Sequence, residues 1–214
     1  HRDDSPLQAP EKPVEKNSWE FLDGNGLYGL NKDVTKGAIQ PRLAEFGNRL
    51  YATWYEWNGV AQQVRVAAYD GASWSFVDGN GLRGINRDPN RPALTPDIAG
   101  AKDRLYVAWS ERNPSDNRSE IRVAEYDGTS WSFADGGGPF GINRNISKDA
   151  SAPALAVWRD RLYAAWSETT GAAGQIRVAD YDGTSWSFVD GGGPFGINRH
   201  SSNEASSPSL AVWN

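Results

Sequence analysis

One tryptophan recurs in the same local context at Trp19, Trp74, Trp131 and Trp186, at separations of 55, 57 and 55 residues. Pro41, Pro96, Pro153 and Pro208 repeat the same three separations. A fixed period of this length commits the chain to an array of one supersecondary unit, because each repeat must fold in the same way and bury its faces against its neighbours. The two extra residues of the middle spacing have a single location. Glu56 to Arg65 and Glu168 to Arg177 are each nine apart, whereas Glu111 to Arg122 is eleven. The spacing therefore predicts a longer hairpin loop at Asn113-Pro114-Ser115-Asp116-Asn117.

The copy from Ala152 to Arg199 reads as four strands. They are Ala154–Trp158, Arg161–Glu168, Gln175–Tyr181 and Ser185–Val189, the first following a proline that favours extended geometry in the residue before it. Asp182-Gly183 supplies the turn between the last two. In RLYAAWSE both strand faces are at least half apolar, with Leu162, Ala164 and Trp166 on one and Tyr163, Ala165 and Ser167 on the other. A strand buried on both faces belongs to a sheet packed between two others, as in a propeller. No segment has the 3.6-residue period of an amphipathic helix, and 55 residues is far longer than one coil of a parallel β-helix. The expected fold is all-β: a β-propeller of four-stranded antiparallel blades.

Complete blades are expected over 41–78, 96–135 and 153–190. A lone fourth strand, 18–22, precedes them and a lone first strand, 209–213, follows, which makes one split partial blade. Residues 1–16 are polar and proline-rich and read as a disordered arm before a repeat domain of 17–214. Three blades and a fraction fall short of a usual ring, so self-association or further repeats are expected to complete it.

Composition narrows the partners. The formal net charge is -5 with no Lys/Arg cluster, so nucleic acid is not an expected partner. No apolar run is long enough for membrane insertion. The chain has no Cys and no Met and begins at His1, which fits a processed or excised product and an expected secreted or cell-surface location. His1 and His200 do not recur, which argues against a Ser-His-Asp or His-metal centre.

Three features recur in every complete blade. The first is a Trp, Glu and Arg set: Trp54, Glu56 and Arg65; Trp109, Glu111 and Arg122; Trp166, Glu168 and Arg177. Glu ends the second strand and Arg begins the third, which reads either as a cross-strand ion pair fixing register or as a sugar pocket of aromatic platform, carboxylate and guanidinium. The second is the connection DG-x-G-xx-G-[IL]-N-[KR], with Asp23 and Asn31, Asp78 and Asn86, Asp135 and Asn143, Asp190 and Asn198. Its Asp and Asn are expected to cap their own turns. Calcium at these Asp-Gly loops is set aside because one carboxylate per loop is a thin ligand set, so no cofactor is expected. The third is the turn YDG-[AT]-SW at Tyr69–Trp74, Tyr126–Trp131 and Tyr181–Trp186.

The YDG-[AT]-SW turn is similar to the Asp-box hairpin of sialidase-type propellers, where that hairpin is structural. The block RLYAAWSE…QIRVADYDG-TSWSFVDGGGPFGINR resembles tandem repeats of bacterial secreted and cell-surface proteins, which implies a propeller or propeller-like array. Its IRV strand and DG-xx-W turn also resemble propeller lectins of the fucose-binding type, some of which build a ring from short chains. That resemblance implies a sugar clasped by the nine residues of the Trp, Glu and Arg sets. The function expected from the sequence is a multivalent, non-enzymatic, glycan-binding lectin. A structural or adhesive surface module is the alternative, and a glycosidase-like enzyme stands third.

Overall fold

A computed structural model describes residues 21–212 apart from 24–28, 80, 139, 170, 172, 192 and 194. The arm 1–16, residues 18–20 of the strand placed at 18–22 and residue 213 of the strand placed at 209–213 lie outside the described residues.

Twelve strands form three sheets. The first blade holds β1 (Ala38–Phe46), β2 (Arg49–Trp57), β3 (Gln62–Tyr69) and β4 (Trp74–Phe76). The second holds β5 (Ala93–Gly100), β6 (Leu105–Arg112), β7 (Ser119–Tyr126) and β8 (Trp131–Phe133). The third holds β9 (Ala150–Trp158), β10 (Arg161–Thr169), β11 (Gly174–Tyr181) and β12 (Trp186–Phe188). Each sheet is an antiparallel meander in chain order. The protein is all-β and forms part of a β-propeller.

The two-residue insertion lies in the β6–β7 hairpin, where Asn113 N–H donates to Arg118 O at 2.7 Å and Asn117 takes a φ of 62°. The hairpins between third and fourth strands close as their sequence requires. Asp70, Asp127 and Asp182 each accept two backbone N–H bonds from the residues two and three positions on, and these exposed carboxyls are held below their ordinary range by those bonds.

One local expectation is corrected. The residue before each repeated proline is not extended: Gln40, Thr95, Ala152 and Ser207 have φ of 56°, 52°, 52° and 53°. Each of the first three sits in a register shift between the first and second strands of its blade. The first strand therefore begins several residues earlier than the proline suggests, and a bulge re-aims it at that point. The four left-handed residues line one cavity of about 480 Å³ with Arg42 and Asp97, which marks the propeller axis.

Apolar side chains fill the spaces between blades. One core lies between the first and second blades, around Val64, Ile98, Val107 and Trp109, and the next between the second and third, around Ile121, Leu155 and Trp166. An indole bond crosses each interface: Trp131 Nε1 donates to Val77 O at 2.8 Å and Trp186 Nε1 to Ala134 O at 2.9 Å. Beyond the third blade, Ser167 Oγ donates to Ala205 O, as Ser110 Oγ does to Ala150 O at the start of β9. Residues 205–212 thus lie in the first-strand place of a fourth blade, with no second strand paired to them among the described residues.

Candidate functional site

The nine residues of the Trp, Glu and Arg sets are all buried, and their polar atoms face the protein. Within each set the indole donates to the carboxylate two residues on: Trp54 to Glu56 at 3.1 Å, Trp109 to Glu111 at 2.7 Å, Trp166 to Glu168 at 3.2 Å. Each carboxylate also accepts from two successive backbone N–H groups of the loop entering the same blade. Glu56 accepts from Lys32 and Asp33, Glu111 from Arg87 and Asp88, Glu168 from Arg144 and Asn145, at 2.7–3.1 Å.

The arginine is not the glutamate's hairpin partner. Register sets Trp54 opposite Arg65, Trp109 opposite Arg122 and Trp166 opposite Arg177, two positions from the glutamates. Each guanidinium instead pairs with the aspartate that follows its own fourth strand: Arg65 with Asp78 at 3.0 Å, Arg122 with Asp135 at 2.9 Å, Arg177 with Asp190 at 3.2 Å. In the third blade Arg177 also approaches Glu168, at 3.8 Å. Burial lowers the Arg65 and Arg122 pKa and raises that of Asp135, with the partner charge opposing each shift. A second donor from each arginine reaches a loop carbonyl, of Gly81, Gly138 and Gly193 respectively.

The Asp and Asn of the connecting loop do more than cap their own turn. Asp78 Oδ2 accepts from Val66 N–H and Asp135 Oδ2 from Val123 N–H, both at 3.1 Å. Asn86, Asn143 and Asn198 accept from Val64, Ile121 and Ile176 N–H at 2.8–2.9 Å. The loop is so close to the third strand that a Cβ on Gly84, Gly141 or Gly196 would meet a strand carbonyl oxygen at 2.0–2.2 Å. The recurring motifs thus form a latch: Arg, Asp and Asn fasten each outgoing loop to the blade it leaves, and Glu fastens it to the blade it enters. Among the described residues no cluster of three or more His, Asp or Glu side chains could hold a metal ion.

Chemistry that does not recur is found in the second blade. Where the first and third blades carry Gln63 and Gln175, β7 carries Glu120, directly opposite Glu111 across the β6–β7 pair. Glu120 is 1% exposed. Its Oε1 accepts from Asn113 Nδ2 at 2.6 Å, and its Oε2 lies 3.9 Å from Arg122 Nη1. Burial pushes both the Glu120 and the Glu111 carboxyl above the ordinary range, against the hydrogen bonds and the Arg122 charge that pull the other way. These groups line a cavity of about 290 Å³ with Arg87, Asp88, Arg112, Asn113 and Pro114. The inserted hairpin loop, read from the sequence only as a length difference, supplies one wall of it. Of the nine expected sugar-site residues, Glu111 and Arg122 reach this cavity.

No known family and no curated protein matches the chain. Solved structures do. A thermostable family-43 glycoside hydrolase is 12% identical with a TM-score of 0.45, covering 72% of this chain and 54% of its own. The α-L-arabinofuranosidase of Lactobacillus brevis is 16% identical with a TM-score of 0.45, over 71% and 54%. A family 117 glycoside hydrolase of the marine bacterium Zobellia galactanivorans is 20% identical with a TM-score of 0.45, over 78% and 56%. The chain spans about half the length of these structures, and the likeness is one of fold. Two expectations are corrected on this finding: where a lectin and no enzyme was expected, the similar folds are those of glycoside hydrolases, and the likeness extends to the fold and not to an activity. The burial of all three Trp, Glu and Arg sets is the physical counterpart, since it leaves no open aromatic platform at them.

Proposed function

We propose that the chain is the propeller part of a carbohydrate-active protein that cleaves a glycosidic bond, with Glu120 as proton donor in the cavity of the second blade. The observation that carries this is the replacement of a repeated glutamine by a buried glutamate facing a second carboxyl across one hairpin. Glycoside cleavage commonly uses two carboxyl groups, one kept protonated to give its proton to the leaving oxygen. Burial raises the Glu120 pKa, the direction a general acid needs to hold its proton near neutral pH. Glu111, held by three N–H donors, supplies the second carboxyl, and the Arg122 guanidinium offers donors to sugar oxygens.

The test uses a variant that the fold already tolerates twice. Glu120→Gln restores the residue of the sister blades, so circular dichroism should be unchanged. Turnover of a panel of aryl glycosides and oligosaccharides by the wild type, reduced about 100-fold or more in the variant, is the expected result. Absence of turnover across the panel, or turnover that survives the substitution, would sink the reading.

A further inference from the structure

The second blade departs from its sisters at more than Glu120. Arg112 ends β6 directly after Glu111, at the place that Trp57 holds in β2 and Thr169 in β10. Its side chain is exposed at the cavity lined by Glu111 and Glu120. Among the described residues its guanidinium has no hydrogen-bond or ion-pair partner. Arg87, on the same cavity, is also placed differently from its counterparts. In the other blades the cation at this repeat position lies over the fourth-strand phenylalanine, Lys32 over Phe76 at 4.6 Å and Arg144 over Phe188 at 5.0 Å. Arg87 Nη1 donates instead to Gly138 O, the carbonyl that also accepts from Arg122 Nη1 at 2.9 Å. Two guanidinium groups thus converge on one oxygen. Burial lowers the Arg122 pKa, and the Arg87 charge acts in the same direction, against Asp135. The nearby acids do not offset these cations. Asp135 is taken by Arg122 at 2.9 Å, and Asp88 lies 3.9 Å from Arg91. Glu111 accepts three N–H bonds, and burial favours the neutral forms of Glu111 and Glu120. Among the described residues no carboxylate forms an ion pair with Arg87 or Arg112.

From this juxtaposition we propose that the second-blade cavity selects an acidic sugar, with Arg112 and Arg87 holding its anionic substituent, a carboxylate or a sulfate ester. That the ligand is a glycan rests on the cleavage reading above; the arginines add which glycans. The planar fork of a guanidinium meets two oxygens of an oxyanion at once, and a charge-assisted pair of this kind is stronger than a bond to a neutral hydroxyl. The cavity of about 290 Å³ is near the lower bound of small-molecule pockets, a size suited to a single sugar residue with its substituent. Arg122 stays with Asp135 and keeps its structural role, so the anion falls to the two arginines whose charges are unmatched.

The test reads binding, so it does not depend on turnover. Trigalacturonic acid, its carboxyl-reduced neutral form and a galactose trimer carrying sulfate esters are each titrated calorimetrically into the full chain. An acidic probe should bind about tenfold or more tightly than the neutral one, the gain expected of one hydrogen-bonded contact to a charged group. Which acidic probe does so identifies the anion. Arg112→Thr installs the residue of the third blade, so circular dichroism should be unchanged while the acidic preference is lost. Arg112→Lys keeps the charge without the fork and should retain part of the preference. Equal affinity for acidic and neutral probes, no binding of any probe, or a preference that survives Arg112→Thr would each overturn the proposal. Acidic preference without turnover of any sugar would leave the anion site standing and sink the cleavage reading. Turnover of neutral sugars with no acidic preference would do the reverse.

Discussion

The second blade and its two neighbours share one latch and differ at one buried position, and that pairing separates what holds the array together from what is peculiar to one blade. Gln63 Nε2 and Gln175 Nε2 donate to loop carbonyls, of Pro89 and Ser201, each at 2.9 Å. The matching carbonyl for the second blade belongs to Ile146, and Glu120 carries a carboxyl in place of the amide NH2 that the sister blades use there. Glu120 turns its Oε1 to Asn113 of the inserted loop instead. The sister blades use this position to tie down a connection, whereas the second blade gives up that tie and gains an acid at a cavity.

If the latch is a common structural device, breaking it should cost the same in every blade. The largest effect is expected from Asp78→Ala, Asp135→Ala or Asp190→Ala, each of which strands a buried arginine. Loss of one partner from a buried ion pair costs about 3–5 kcal/mol, read as a fall in the denaturation midpoint. The comparison breaks if one blade tolerates the change, because the latches would then differ in load. Next come Gly84→Ala, Gly141→Ala and Gly196→Ala. The added carbon would lie 2.0–2.2 Å from a backbone oxygen of the third strand, and relief requires moving the loop, at roughly 3 kcal/mol each.

The outline of this architecture was legible in the sequence because it rests on period. The 55-residue spacing, the Asp-Gly turns and the place of the insertion are counting results, and the three sheets follow them. The latch was not legible in the same way. A hairpin count put glutamate beside arginine, but the actual partners lie elsewhere along the chain. Each arginine's aspartate is 13 residues downstream and each glutamate's loop amides are 23 and 24 upstream. Those offsets recur in all three blades and were a readable signal. The left-handed residue before each proline had no such signal, since it arises from a bulge set by pairing with the second strand. Glu120 was readable in principle as the one acid at a position that is glutamine in both other copies. Its importance emerges only when burial and the facing Glu111 are known.

A smaller effect separates the interfaces from the latch. Trp131→Phe and Trp186→Phe keep an aromatic ring between blades but delete the indole donors to Val77 O and Ala134 O. Each should cost about 1 kcal/mol. Trp74→Phe should cost less, because the buried Trp74 indole nitrogen has no hydrogen-bond partner among the described residues. A Trp74 penalty as large as that of the other two would mean that the first blade has an indole acceptor as well.

The smallest expected change returns to the position where the blades diverge. Burial raises the folded-state pKa of Glu120 above the ordinary 4.5. A carboxyl raised in this sense contributes stability that is fully present below the unfolded value and is lost as pH rises through the folded one. Glu120→Gln carries no such proton. The variant should therefore differ least from the wild type below about pH 4.5 and gain on it as pH increases, by less than about 1 kcal/mol at neutral pH. Denaturant titrations of both chains across that range measure it, and Gln63→Glu, which creates the same acid in the first blade, supplies the mirror image. The Gln63→Glu chain should lose stability with rising pH more steeply than the wild type, because the first blade has neither Asn113 nor the inserted loop to receive the carboxylate. Equal pH dependence in the two blades would show that the inserted loop does nothing for Glu120. A steeper loss for Gln63→Glu would show that the second blade is built to hold an acid where its neighbours are not.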